Sequence, residues 1–332
     1  MKNKNYADSK KFLLDYANLK QNIIYNQKDF LNKVNFFKIL SKPYLGIPFI
    51  LPVNLKYFIY PKNNKYYFKI KKEIILKKLF LSKNNFYSPF LKYISFGDTY
   101  CSNIKIKKKY KKEIIKFSKE NIKTIRKIKL LKKNNKIIGA FQSRNIPHLG
   151  HEALISKLLE KCDYVFINPV CGVKKKGDVT TEVLKKSYNF LIKKYYKNKL
   201  IFAPIYTSMF YAGPREALHH ALLRQQLGFD YFIVGRDHAG TESNYKDDDA
   251  FKIINKYIKY FKIKILTTAG VFFCRKSKKI VILSATNYKK KENLQSISGT
   301  NFRKSIEQRK LFKFARHDLQ RYIHSLKGKI FY

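Results

Sequence analysis

Between residues 137 and 267, short and almost uninterrupted apolar runs alternate with longer stretches in which apolar residues recur every three or four positions. The runs at 137–141, 164–170, 200–205, 231–234 and 263–267 predict strands covered on both faces, because a strand with one wet face alternates apolar and polar side chains. The stretches at 152–160, 181–196, 214–227 and 248–261 predict the helices between them. Pro214 suits a first helical turn, where its missing N–H is not needed, and Gly228 suits the left-handed residue that closes a helix. Strand and helix in regular alternation predict an α/β domain built on a doubly wound parallel sheet.

The flanks have a different texture. Residues 1–130 carry short Tyr, Phe and Ile runs broken by Asn-Asn, Asn-Lys and Pro, with Pro43, Pro48 and Pro52 closely spaced, and they predict a mostly β domain with one or two helices. From residue 285 a polar linker leads into a small helical segment that starts near Phe302. The expected division is therefore 1–130, 131–284 and 285–332. No internal repeat is visible.

Composition changes this picture little. Of the 332 residues, 45% are hydrophobic and 16% aromatic, which is too much apolar surface for a disordered polyelectrolyte, so the formal net charge of +49 sits on a folded scaffold. Such a charge would ordinarily point to nucleic acid. Here Lys, Asn, Ile, Tyr and Phe are inflated together while Trp is absent, the residue set of A/T-rich codons, and the Lys residues are spread rather than clustered. No dedicated nucleic-acid partner is expected. The ten Arg are more informative, since in a chain that uses Lys for positive charge an Arg implies the need for a planar two-pronged fork. Cys101, Cys162, Cys171 and Cys274 show no C-x-x-C spacing, so no disulfides and a reducing, cytoplasmic setting are expected. The N-terminus lacks an apolar signal core and no run is long enough to span a bilayer, so no membrane association is expected.

Candidate chemistry is concentrated. Five of the seven His, at 148, 151, 219, 220 and 238, and eight of the 13 Gly lie between residues 139 and 240. In open parallel sheets ligands bind beyond the carboxyl ends of strands. After the first predicted strand comes Gln142-Ser143-Arg144-Asn145-Ile146-Pro147-His148-Leu149-Gly150-His151, which runs into a helix whose free N–H groups attract anions. Its Gln, Arg, Asn and two His are donors suited to phosphate or sulfate oxygens. After the third comes Tyr211-Ala212-Gly213-Pro214-Arg215-Glu216-Ala217-Leu218-His219-His220-Ala221, and after the fourth Gly235-Arg236-Asp237-His238-Ala239-Gly240. Neither a P-loop nor a dinucleotide fingerprint is present.

These segments, with Ile297-Ser298-Gly299-Thr300-Asn301-Phe302-Arg303, resemble the ordered motifs of ATP sulfurylase, the sulfate adenylyltransferase family: Q-T-R-N-P-x-H-x-x-H, Y-A-G-P-R-E-A-x-x-H-A, G-R-D-H-A-G and I-S-G-T-x-x-R. The resemblance spans about residues 135 to 305. It implies an HxGH-type nucleotidyltransferase domain preceded by a PUA-like domain. The implied reaction is ATP + sulfate to adenosine 5′-phosphosulfate + diphosphate, by direct in-line attack on the α-phosphorus. Ser143, Arg144, Asn145, His148 and His151 are the implied catalytic residues. Gln142, Arg144 and the backbone N–H of Ala239 would bind sulfate; Gln142, Asn145, His148 and His151 would lie along ATP, with the latter three on its phosphates. Gly235, Arg236, Asp237 and His238 would hold the adenosine and α-phosphate side, and Val271 would lie near adenine. Ser298, Gly299, Thr300 and Arg303 would form a phosphate-side loop, although Ser298 and Thr300 also suit a helix N-cap.

Mg²⁺ is expected to arrive on the phosphates, because Asp247, Asp248 and Asp249 suit a helix start better than a cage. Some relatives carry a Cys-rich zinc knuckle; Phe273-Cys274-Arg275-Lys276-Ser277 keeps only its first Cys, so no zinc is expected. Ser143 stands in place of Thr, and Ile146-Pro147 and Leu149 also depart from the commoner residues, the last removing an Arg. The family implies a homodimer. Two rivals remain at this level: a class I aminoacyl-tRNA synthetase-like enzyme, which also uses an H-x-G-H turn but gives residues 235–240 no role, and an RNA-binding module with a vestigial nucleotide site.

Overall fold

The computed structural model describes residues 14–15, 17–25, 27, 35, 38–39, 41–47, the backbone of residues 57–62, 65–70, 74–75, 93–94 and 108–111, and then 112–172, 177–210, 213–235, 238, 248–283, 293–297 and 299–332. The chain divides into two compact units. One comprises residues 1–123, 206–227 and 237–261, and the other residues 124–205, 228–236 and 262–332.

In the first unit, strands β1 (Tyr57–Lys62) and β2 (Lys65–Ile70) form an antiparallel hairpin, and β3 (Ile74–Ile75) pairs antiparallel with β4 (Tyr93–Ile94). Helix α1 (Lys108–Lys133), which begins in this unit and ends in the other, lies in the region expected to be mostly β with one or two helices, at a place the sequence did not mark. Its helical period is carried by the buried residues Ile114, Asn121, Thr124 and Ile128, two of them polar, so apolar spacing alone understates it. Asn121 is fully buried because it takes over a backbone edge: its Nδ2 donates to Tyr206 O at 3.0 Å and to Asn18 Oδ1 at 3.1 Å, while its Oδ1 accepts from Tyr206 N–H at 2.7 Å.

The second unit holds the predicted sheet. Strands β5 (Ile138–Phe141), β6 (Tyr164–Ile167), β7 (Leu200–Phe202), β8 (Tyr231–Val234) and β9 (Lys264–Thr267) are all parallel, in the order β7-β6-β5-β8-β9. The strand order reverses at β5, so β5 opens at the switch point where such sheets take ligands. Every residue of β5 is buried, in keeping with its unbroken apolar run. Helix α2 (Leu149–Leu159) follows β5, and α3 (Thr181–Leu191) follows β6 and continues as one π-helical turn over Ile192–Tyr196. Helix α4 (Pro214–Leu227) and helix α5 (Asp249–Tyr257), which pack on each other, belong to the first unit. Gly228 has φ of 96°, the left-handed closure expected after α4. Asp248 stands at the N-cap position of α5 and pairs with Lys252 at 2.5 Å.

A second, antiparallel sheet of β10 (Gly270–Cys274), β11 (Lys279–Leu283) and β12 (Leu294–Ser296) packs on α2. Helices α6 (Gly299–Glu307) and α7 (His317–Ser325) complete the unit, and their Phe302, Ile306, Leu319 and Ile323 join its core. Among the described residues no helix is long and apolar enough to cross a membrane.

Replacing Asn121 by Leu should lower stability by about 1–3 kcal/mol, since the Tyr206 N–H loses its Oδ1 acceptor and the Tyr206 carbonyl loses one amide donor while keeping Asn18 Nδ2. Urea denaturation followed by tryptophan-free tyrosine fluorescence and circular dichroism measures it, and an unchanged midpoint would deny Asn121 that role.

Candidate functional site

Seven residues, 142–148, link β5 to α2. Ser143 Oγ accepts from Asn145 N–H at 3.1 Å and turns the chain back on itself. His148 is then the N-cap of α2, extended at φ −134° and ψ 171°, with Nδ1 accepting from His151 N–H at 3.3 Å. That bond places the proton of neutral His148 on Nε2, which makes the outer nitrogen a donor. The imidazoles of His148 and His151 stack with centroids 3.8 Å apart and planes 16° apart, and Phe141 meets His151 edge-on. Gly150 makes the stack feasible: a Cβ there would stand 3.0 Å from two atoms of the His148 ring.

Both imidazoles are held neutral. Burial lowers His148 well below the ordinary imidazole value, with the neighbouring His151 adding to the effect, and burial brings His151 down to about 4 against a partial offset from the Ile146 backbone. His151 Nε2 lies 3.4 Å from Ser143 Oγ. Arg144 Nη1, Asn145 Oδ1 and His151 Nδ1, buried polar atoms of the same turn, have no hydrogen-bond partner among the described residues, the condition a bound ligand would relieve. Gln142, Arg144 and Asn145 are half-buried, and Ser143 and His148 are buried. Hydrogen bonds and ring stacking thus bring Ser143, Asn145, His148 and His151 together, with Gln142 and Arg144 on the same turn.

The α6 end of the site closes on the same turn, for a Cβ at Gly299 would fall 2.7 Å from Asn145 Nδ2. Arg303 Nη2 donates to Thr300 Oγ1 at 3.3 Å, and Ser298 lies outside the described residues. Val271, half-buried on β10, accepts from Ile297 N–H at 3.5 Å. Gly235 follows β8 directly in the same unit. Arg236, Asp237 and Ala239 lie outside the described residues.

His238 is in the first unit, where its Nε2 is 2.9 Å from His220 Nδ1. His220 in turn sits 3.2 Å from Glu216 Oε1, which accepts from Phe210 N–H, and burial, with Arg224 second, keeps His220 neutral. Tyr25 Oη lies 2.7 Å from His219 Nδ1. Arg215, fully buried, directs its fork to the carbonyls of Gly46 and Ile39. The histidine-rich segment of α4 is therefore an internal polar network.

One group escaped the sequence reading. Glu152, buried in the first turn of α2, takes Arg316 Nε on both carboxylate oxygens at 3.0 and 2.9 Å and Arg316 Nη2 at 2.8 Å, and also accepts from Tyr196 Oη at 3.1 Å. The only available signal was Arg316 itself, an Arg outside every motif in a Lys-rich chain.

A family model described as ATP-sulfurylase matches residues 105–313. The sulfate adenylyltransferase of Thermococcus onnurineus (strain NA1) is 40% identical over 192 residues, which cover 57% of this chain and 50% of that protein. That of Carboxydothermus hydrogenoformans is 37% identical over 202 residues, covering 58% and 53%. The chain thus spans about half the length of the curated relatives it matches. Among solved structures, one titled hexameric APS kinase from Thiobacillus denitrificans superposes with a TM-score of 0.57 over 96% of this chain and 62% of that one, at 10% identity, a likeness of fold alone. With the family match taking in the turn at 142–151, the helix at 214–227 and the loop after β8, the chain belongs to the ATP-sulfurylase family.

Proposed function

We propose that the chain is a sulfate adenylyltransferase, converting ATP and sulfate to adenosine 5′-phosphosulfate and diphosphate. The observation that carries this reading is the turn at 142–151, where a guanidinium nitrogen without a partner among the described residues and two stacked imidazoles share one turn at the carboxyl end of the central strand. Sulfate is fully ionised near neutral pH and needs no general base. What the reaction needs is a donor array that offsets the Coulomb cost of bringing a dianion to a polyphosphate. Gln142, Arg144 and the backbone N–H of Ala239 take sulfate in this proposal. Asn145, His148 and His151 take the phosphates, with Nε2–H of His148 a donor to charge growing on the departing diphosphate. Gly235, Arg236, Asp237 and His238 hold the adenosine and α-phosphate side, with Val271 near adenine. Displacement is direct, with Ser143 shaping the turn.

Mg²⁺ belongs to the nucleotide in this reading. The donors around the turn are amides, a hydroxyl and imidazoles, and Glu152 already serves Arg316 and Tyr196, so the described residues offer the cation no carboxylate cage. No zinc, a PUA-like identity for residues 1–130, a catalytic domain over 131–284, a helical tail over 285–332, a homodimer and a cytoplasmic setting complete the proposal.

Sulfate-dependent exchange of labelled pyrophosphate into ATP tests the reaction, and amino-acid-dependent exchange would replace it with the synthetase-like reading. Arg144→Ala should abolish exchange without changing the melting temperature, while His148→Ala and His151→Ala should each lower the rate about 10²- to 10³-fold. Near-normal exchange in Arg144→Ala would remove sulfate from that position.

Selectivity over phosphate should depend on Gln142. Monohydrogen phosphate brings a proton that a ring of donors leaves unpaired, at a cost of about 1–3 kcal/mol. Gln142→Glu should weaken sulfate much more than phosphate in competition assays with ATP, and an unchanged preference would take Gln142 out of the pocket.

The neutral imidazoles set a pH dependence. Because the folded value of His151 is depressed to about 4, the unfolded chain takes up its proton first. The stability held above pH 6.5 should fall as pH drops from about 6.5 towards 4, where this contribution levels off. Melting temperatures across that range should fall less steeply in His151→Asn than in wild type; parallel curves would mean that His151 is not buried in its neutral form.

A further inference from the structure

We propose that residues 312–316 form a strap that positions the phosphate-binding turn, with Arg316 acting on it through Glu152; the inference rests on the reading of residues 142–151 as that turn. A helix begins with N–H groups that its own backbone cannot satisfy. At the start of α2 the first of these, on Leu149, is taken by the carbonyl of Phe314 at 2.8 Å. Three residues further on, Glu152 is held by Arg316. Gly150 and His151 are bracketed between these two grips, so a shift of the strap is a shift of the imidazole stack.

The strap is itself held from several sides. Gln320 of α7, fully buried, accepts from Phe312 N–H at 2.7 Å and donates to the carbonyls of Phe312 and Ala315 at 3.0 and 2.9 Å. Phe312 stacks on Phe302 of α6, and Phe314 packs against Phe273 of β10. The guanidinium carbon of Arg316 lies over the Tyr195 ring, 3.7 Å from its centroid. Asp318 takes the hydroxyl of Tyr195 and the ammonium of Lys194, fixing that ring in turn. The π-helical turn at Ile192–Tyr196 supplies both tyrosines, one to each carboxylate. A single-point cation would hold Glu152 at a distance without fixing its direction, whereas the fork fixes both. The family match ends at residue 313, before Arg316.

The test uses the full chain with Arg316→Lys, which keeps the charge and removes the fork, and Glu152→Gln. A misplacement of the imidazoles on the order of 1 Å should lower kcat for pyrophosphate exchange about 10- to 100-fold, with KM for sulfate changing less than about threefold. Amide hydrogen exchange read by mass spectrometry should be at least about 10-fold faster at residues 149–152 in Arg316→Lys and unchanged across α3. If kcat stays within about twofold of wild type, or if exchange rises uniformly across the unit, the pair is only structural and the proposal falls. A wild-type protein without sulfate-dependent exchange would overturn the functional reading, while the hydrogen-exchange arm would still decide whether the strap holds the turn.

Discussion

The imidazoles of His148 and His151 stack 3.8 Å apart at the start of α2, and burial, with the nearness of His151 adding to it for His148, disfavours charge on both rings. A neutral imidazole is still a donor on one nitrogen, and the N-cap bond from His151 N–H decides which nitrogen of His148 that is. The turn therefore offers hydrogen bonds without a fixed charge at these positions. Positive charge is left to Arg144, whose Nη1 has no partner among the described residues. A site built this way can receive an anion without first having to displace one of its own carboxylates.

The arginines divide into two kinds of work. Arg215 and Arg316 spend their forks inside the protein, one on backbone carbonyls and one on a buried carboxylate. In each case planar geometry is what matters, since the fork sets the direction of what it holds as well as the distance. Arg144 has the same shape at the mouth of the central strand and retains an unused donor. The lysines behave differently: the pairs of Lys123 with Glu120, Lys157 with Glu160 and Lys186 with Glu182 are surface contacts of the kind that contribute little to stability. Much of the large positive charge thus lies outside the interactions that shape the turn.

Three polar networks are made by segments far apart in sequence. Asn121 meets Tyr206, Tyr25 meets His219, and Glu152 meets Arg316 across 164 positions. Each brings a buried polar group to a partner that only chain folding can supply, and each is costly to break because the group left behind stays out of water.

The five parallel strands, the helices between them and the turn at 142–151 were legible in the sequence because each is written locally. Unbroken apolar runs encode strands buried on both faces, and a donor-rich segment between such a run and a helix can hardly lie elsewhere than at the sheet's carboxyl edge. Helix α1 was hidden because two of the four residues marking its inner face are polar, buried by partners that no local pattern names. The antiparallel sheet at 270–296 was missed because its strands are mostly half-buried rather than covered on both faces. Only the tertiary structure decided that Arg215 faces inward while Arg144 does not, that Gly150 and Gly299 are needed for the room their neighbours take up, and that Glu152 is claimed by Arg316. Residue type tells which interactions a side chain is able to make, and the packing of distant segments decides which one it makes.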